Sequence, residues 1–232
     1  MNFSSMEIKP FILFIFGPPG SGKSTQAELV AKEFGATHFN TGEVLRHIFK
    51  DPAKANDPKV KHEKGAEERG ELNDSAWVKD IVLQEVAKLR ESGQSIVFSG
   101  SPRTIFEAEV ELPRFRELYA ERIFLCVLQI HEETTMYRNS RRRICSSCGK
   151  IFPWSMASEK MIICDVCGGG LITRPDDDPQ IIKKRLQVYR QLTLPILKFL
   201  ESQGVRSISI DGEPSPELVF QSLKKELQEL LQ

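Results

Sequence analysis

The chain has 232 residues, enough for a sizeable buried core, and its 32 basic and 32 acidic side chains leave no formal net charge. That balance excludes a global field for nucleic acid or an anionic membrane surface, so any arginine cluster needs a local explanation. The longest apolar stretches, residues 11–16 and 123–128, are far too short to span a bilayer.

In chain order, the first ten residues (MNFSSMEIKP) lack the basic flank, apolar stretch and small-residue cleavage site of a secretory leader. A cytosolic protein is expected. Apolar runs of strand length follow at 11–16, 95–98, 123–130 and 207–210. Their near-continuous apolar character predicts burial on both faces, as in a parallel sheet. Segments with helical spacing separate them at 24–34, 75–91, 105–119 and 180–203, and residues 216–232 read as a closing amphipathic helix. The alternation predicts an α/β fold with a doubly wound parallel sheet, whose ligands bind beyond the carboxyl ends of the strands. Two segments break it. Residues 50–70 are charged and almost free of aliphatics, while residues 141–174 hold four of the five cysteines and several glycines. Both are expected to be excursions from the core.

The first strand runs into Gly17-Pro18-Pro19-Gly20-Ser21-Gly22-Lys23-Ser24-Thr25, which satisfies the phosphate-loop pattern G-x-x-x-x-G-K-S/T between a strand and a helix. Glycines let backbone N–H groups converge on phosphate oxygens, and the helix N-terminus adds its positive dipole end. Lys23 brings a cation to the β- and γ-phosphates, and the hydroxyl of Ser24 or Thr25 is placed to reach Mg²⁺ or a phosphate. A glycine-rich turn with an incidental lysine is the bland alternative, which the strand-and-helix context disfavours. The loop predicts a nucleoside triphosphate site without naming the reaction.

Cys145-x-x-Cys148 and Cys164-x-x-Cys167 are two knuckles with the spacing of a closed tetrahedral Zn²⁺ site. Such a site folds a lobe too poor in hydrophobics to fold alone. Two disulfides, four unligated thiols and iron–sulfur ligation are the other readings, and a reducing compartment disfavours the disulfides. Cys126, inside IFLCVL, reads as a buried core thiol.

These motifs, with NTGEVLR (40–46), GSPRT (100–104), RNSRRRICSSCG, CDVCGG, LITRPDDD and KKRLQVYRQLTLPIL, resemble in order and spacing those of the adenylate kinases. The likeness is to the long type with a zinc-bearing lid, within the nucleoside monophosphate kinases, and it covers nearly the whole chain. It implies the reaction Mg·ATP + AMP ⇌ 2 ADP in a monomer. It also implies a core (1–39, 72–137 and 175–232), a monophosphate-binding lobe (40–71) and a zinc-binding lid (138–174). Carried over by motif, Thr41, Arg46, Gly100 and Arg103 hold the monophosphate, with backbone groups of Glu71, Leu72 and Asn73 near its base. Arg138 and Arg142 reach the triphosphate from the lid hinge, and Arg174 and Arg185 face the phosphates between the nucleotides. Asp176 and Asp177 resemble acids that pair with arginines when such lids close. Arginine suits this chemistry, because in-line phosphoryl transfer needs alignment and neutralisation of charge more than covalent help.

Three positions depart from the family. Ser24 stands where a glycine is usual and recovers an ordinary phosphate-loop hydroxyl. Ser99 stands where an aspartate orders water around Mg²⁺, and Ser101 replaces the phenylalanine beside the monophosphate pocket. Loss of such a metal partner costs roughly 10–100-fold in affinity or activity. Glu107 stands where a glutamine reads adenine. An ionised glutamate only accepts hydrogen bonds, which suits guanine or the cytosine amine better, unless it points to solvent. AMP remains the expected acceptor, with another nucleoside monophosphate, or a weakly active nucleotide-binding module, as the alternatives. A zinc-knuckle nucleic-acid binder is disfavoured by the zero net charge and by the lack of aromatics among residues 138–143.

Overall fold

The structure, a computed structural model, describes residues 9–153, 156–173 and 177–232; Arg174 and Asp176 lie outside the described residues. Strand β1 (Ile12–Phe16) is buried at every position, and its side chains alternate between two core layers. Ile12, Phe14 and Phe16 enter one layer with Phe98 and Phe115, while Leu13 and Ile15 enter the other with Val97 and Phe124. Neighbouring strands are β2 (Thr37–Phe39), β3 (Ile96–Phe98), β4 (Ile123–Gln129) and β8 (Arg206–Asp211). The order is β2-β3-β1-β4-β8 and every pairing is parallel. Four of these strands match the expected runs to within a residue or two. Strand β2 escapes the pattern because three residues, two of them half-buried at the sheet edge, show no period.

Helices α1 (Lys23–Phe34) and α10 (Pro216–Leu231) cover one face through Ala27, Val30, Val219, Leu223 and Leu227. On the other face lie α4 (Ser75–Glu91), α5 (Ile105–Tyr119) and α9 (Leu194–Ser202). The single helix expected over 180–203 is instead α8 (Pro179–Val188), a π turn (Tyr189–Thr193) and then α9. Pro195 has no N–H to continue the ladder, and the Leu194 N–H bonds the Tyr189 carbonyl five residues back.

The two excursions have structure of their own. Helix α2 (Thr41–Lys50), a 3₁₀ turn (Pro52–Lys54) and α3 (Pro58–Glu68) form the first. Its buried Glu63 carboxylate accepts from the Asp74 N–H at 2.8 Å and the Asn73 amide at 3.1 Å, which reconciles a charged segment with a packed one. Helix α6 (Glu132–Arg141) leads into the second. There β5 (Arg143–Cys145) pairs antiparallel with β6 (Ile151–Phe152) and β7 (Leu171–Ile172), around the short helix α7 (Met156–Glu159). Among the described residues its apolar core is Cys145, Phe152 and Cys164, edged by Met161 and Leu171. Among the described residues no helix is long and apolar enough to cross a membrane.

Candidate active site

Beyond the carboxyl ends of the parallel strands lies a cavity of about 1010 Å³, walled by the glycine loop, both excursions and the loop after β8. Two glycines of the loop have no substitute. A Cβ on Gly17 would sit 2.8 Å from the Leu128 carbonyl, and Gly20 has φ +82° with the Asn139 amide 2.6 Å from where a Cβ would be. Helix α1 begins without a side-chain cap, and its first residues, Lys23, Ser24 and Thr25, line the cavity. Lys23 Nζ donates to the carbonyls of Gly17 and Pro18 at 2.8 Å each. Burial holds its pKa well below the usual lysine range, and the charges of Arg103, Arg185 and Arg142 push it further down.

Residues of several elements converge here. Arg138 on α6 donates to the carbonyls of Gly212 and Glu213 at 2.9 and 2.8 Å. Arg142 makes a bidentate pair with the fully buried Asp177 carboxylate at 2.7 and 2.6 Å, and Arg185 lies 3.6 Å from the same acid. Arg46 on α2 pairs with Glu67 on α3 at 3.0 Å. All four arginines line the cavity with Gly100, Arg103, Leu72 and Glu71. The Glu71 carboxylate is held down to about 2 by Arg69 and then Lys184.

Other expected residues sit elsewhere. Pro18 offers its carbonyl, to Lys23 and to the Ser21 N–H, and does not line the cavity. Thr41 is buried behind Gly100, its hydroxyl without a partner among the described residues. Asn73 is turned to Glu63. Glu107 neither lines the cavity nor points to solvent. It is 2% exposed, and its Oε2 accepts from the Arg103 N–H at 2.7 Å. Sequence reasoning missed His38, because it lies on the unrecognised β2. His38 Nε2 is 2.6 Å from Ser99 Oγ, and burial lowers the ring to about 4, so it is neutral. Ser99 Oγ is in turn 3.4 Å from Ser24 Oγ, which also accepts from the Asn40 amide at 3.4 Å. This is a neutral, oxygen-rich corner beside the loop. Such hard donors fit Mg²⁺, which keeps several waters and takes its anionic ligands from phosphates.

The four sulfurs of Cys145, Cys148, Cys164 and Cys167 lie within 4.8 Å of one another and all are free thiols, so the disulfide reading fails. Separations of 3.4 Å (Cys145–Cys167) and 3.7 Å (Cys148–Cys164) are close to the edges of a tetrahedron with metal–sulfur bonds of ~2.3 Å. The Cys148 and Val166 N–H groups donate to Cys145 Sγ and Cys164 Sγ at 3.4 Å. The cluster can bind a metal ion, and Zn²⁺ is compatible with it. Cys126 is sealed in the core, its thiol pushed up to about 12 by burial.

The sequence model of the family described as adenylate kinase matches residues 15–205. The adenylate kinase of Pyrococcus abyssi is 35% identical over 216 residues, covering 91% of this chain and 93% of that protein. That of Petrotoga mobilis is 34% identical over 213 residues (91% and 94%), and that of Carboxydothermus hydrogenoformans 33% over 217 (93% and 99%).

Proposed function

Since the chain belongs to the adenylate kinase family, we propose that it transfers the γ-phosphoryl group of Mg·ATP reversibly to AMP, giving two ADP, as a cytoplasmic monomer. Residues 40–71 serve as the monophosphate lobe and 138–174 as the lid. The observation that carries the reading is the convergence of Lys23, Arg103, Arg142 and Arg185 on one cavity beside the glycine loop, where burial first, and then the charges of the three arginines, lowers the Lys23 pKa. Three guanidiniums near a buried lysine repel it, and a polyphosphate between them would offset that repulsion.

The roles follow from position. The glycine loop and Lys23 take the β- and γ-phosphates, Lys23 exchanging two neutral carbonyls for phosphate oxygens. Arg138 and Arg142 enter from the lid hinge. Arg46 and Arg103 hold the acceptor phosphate, and Arg174 and Arg185 offset charge on the group in flight, which an acceptor oxygen attacks in line as the β–γ bridging oxygen leaves. Thr41, Gly100 and the backbone near Glu71, Leu72 and Asn73 complete the acceptor side. Ser24, with Ser99 behind it, would hold Mg²⁺ and its waters. When bound, that ion supplies Lewis-acid polarisation of the phosphate oxygens. Closure of the lid excludes water and limits hydrolysis of ATP. The four cysteines hold a structural Zn²⁺, with elemental analysis expected to return a single zinc per chain.

A coupled assay with Mg·ATP against AMP, GMP, CMP and UMP separately, beside a control without acceptor, tests the proposal. Turnover preferring AMP is expected. A different preferred acceptor would reassign specificity. Silence with all four despite ATP binding would make the protein a binding module, the reading that the uncharged Ser99 favours.

A further inference from the structure

Arg103 is exposed on the cavity wall, yet its backbone is gripped on both sides. Its N–H donates to Glu107 Oε2 at 2.7 Å, and its carbonyl accepts from Thr193 Oγ1 at 3.3 Å. Its Nε also donates to the Gly100 carbonyl at 2.7 Å. The first two partners come from separate elements, the opening turn of α5 and the end of the π turn. Both are buried, Glu107 at 2% exposure and Thr193 at 8%.

A group that reads a base must show its polar atoms to the ligand. The Glu107 carboxylate shows them to the protein instead. Besides the Arg103 N–H it meets the hydroxyls of Ser75, which opens α4, and Thr104, which caps α5. Thr104 Oγ1 accepts from the Glu107 N–H at 3.2 Å and lies 3.0 Å from Ser75 Oγ, so the starts of both helices and the Arg103 peptide meet at one acid. A carboxylate accepting from an N–H makes a charge-assisted bond, stronger than an amide would make. The wide π turn has a matching consequence. It carries Thr193 to the Arg103 carbonyl, and Tyr189 and Thr193 both line the cavity.

A guanidinium stands at the end of a long stem, so a small rotation of either flanking peptide moves it a large distance. Resting on the phosphotransfer reading above, we propose that Glu107 and Thr193 are positioning residues, which clamp the Arg103 peptide so that its guanidinium is aligned with the phosphoryl group in transfer, and that Glu107 does not read the acceptor base. A misplacement of about 1 Å costs up to ~10²-fold in rate, which sets the scale of the effect.

The test uses the full chain and the four-acceptor assay, with Glu107→Gln, Glu107→Leu and Thr193→Val. Wild-type turnover is measured first, and silence there sinks the phosphotransfer reading before any variant bears on the clamp. Given turnover, Glu107→Leu is expected to lower kcat by ~10–100-fold with every acceptor alike, leaving the KM for ATP within about twofold. Glu107→Gln, whose amide oxygen still accepts from the Arg103 N–H, recovers to within about threefold of wild type. Thr193→Val falls between them. A change of more than about tenfold in the preference between acceptors, in either Glu107 variant, would show that Glu107 reads the base and overturn the proposal. Wild-type rates in Glu107→Leu overturn it equally. Should Glu107→Leu fold poorly, the Arg103 amide proton decides the matter by NMR. It is expected far downfield in wild type and moved upfield in Glu107→Gln, and an unmoved resonance refutes the bond.

Discussion

The cations of the cavity rest on two kinds of partner. Lys23 and Arg138 lean on main-chain carbonyls, of Gly17 and Pro18 and of Gly212 and Glu213. Arg46, Arg142 and Arg185 lean on carboxylates, of Glu67 and Asp177. A carbonyl is a neutral acceptor, so a phosphate that replaces it gains a charge-assisted bond outright. A carboxylate already supplies that charge, so a phosphate must compete with it. Under the proposed function, the first set would form a standing grip on a polyphosphate. The second is conditional: its arginines change partner only when a ligand outbids the acid or the excursions move.

Lys23→Met should give the largest effect and tests the standing grip. Turnover is expected to fall by about 10²–10³-fold, the scale of losing one preorganised donor. Because burial and three arginines oppose its charge, the melting temperature measured without nucleotide should hold or rise. A marked fall in melting temperature would mean that the carbonyl bonds are structural, and the contrast between the two sets would break.

Asp177→Ala probes the conditional set. It removes the carboxylate that pairs with Arg142 and lies 3.6 Å from Arg185. Breaking a buried pair costs ~3–5 kcal/mol, and the partial exposure of both arginines discounts this to about 2 kcal/mol, read from urea unfolding. If the arginines serve phosphate once freed, the apparent affinity for ATP should tighten as stability falls. Unchanged affinity would show that the carboxylate never competed.

Ser99→Asp sharpens the neutral corner. A carboxylate there is expected to lower the Mg²⁺ concentration for half-maximal rate by about tenfold. His38 lies 2.6 Å from the site and is held at about 4 by burial, so an anion beside it must raise its pKa. Where the ring becomes protonated, its charge cancels the new one and the gain disappears. Adding His38→Gln should therefore enlarge the gain, and NMR titration of His38 in Ser99→Asp should show the upward move.

These corners also mark what the sequence could tell. The loop, the cysteine knuckles and the sheet were legible because each rests on a short-range rule: fixed spacing around a phosphate or a metal, or apolar runs buried on both faces. The Lys23, Arg138 and Arg142 positions followed from the motifs. What stayed hidden depends on long-range partners. The resemblance marked Asp177 as an acid that pairs with arginine, but not that Arg142 is its partner 35 residues away, and no local pattern marks Thr193, which donates to the Arg103 carbonyl across 90 residues. Glu107 was legible as a departure but not as a contact, since the resemblance that suggested a base reader does not show that a side chain four residues on can reach back to the Arg103 N–H. Strand β2 and the π turn were missed because three residues show no period and a proline inside an apolar helix pattern is easily passed over.

Glu111, one turn beyond Glu107, carries the smallest effect and the cleanest sign. It is 1% exposed, neither carboxylate oxygen finds a partner among the described residues, and burial, then the charge of Glu107, raises its pKa well above the usual value. The folded chain thus holds this proton more tightly than the unfolded chain, where the group titrates near 4.5. Below that pH both states are protonated and the contribution to stability is fully present. As pH rises through the unfolded value toward the folded one the contribution is lost, so neutral pH is where Glu111 costs most. Glu111→Leu should therefore stabilise the protein by about 1 kcal/mol at pH 7, an unpaired buried polar group being replaced by an apolar one, and the gain should shrink as pH approaches 4. Chemical unfolding of both chains at pH 4 and pH 7 measures it. A gain independent of pH would mean that packing rather than ionisation limits this position, and that Glu107 holds the Arg103 peptide without any electrostatic penalty from its neighbour.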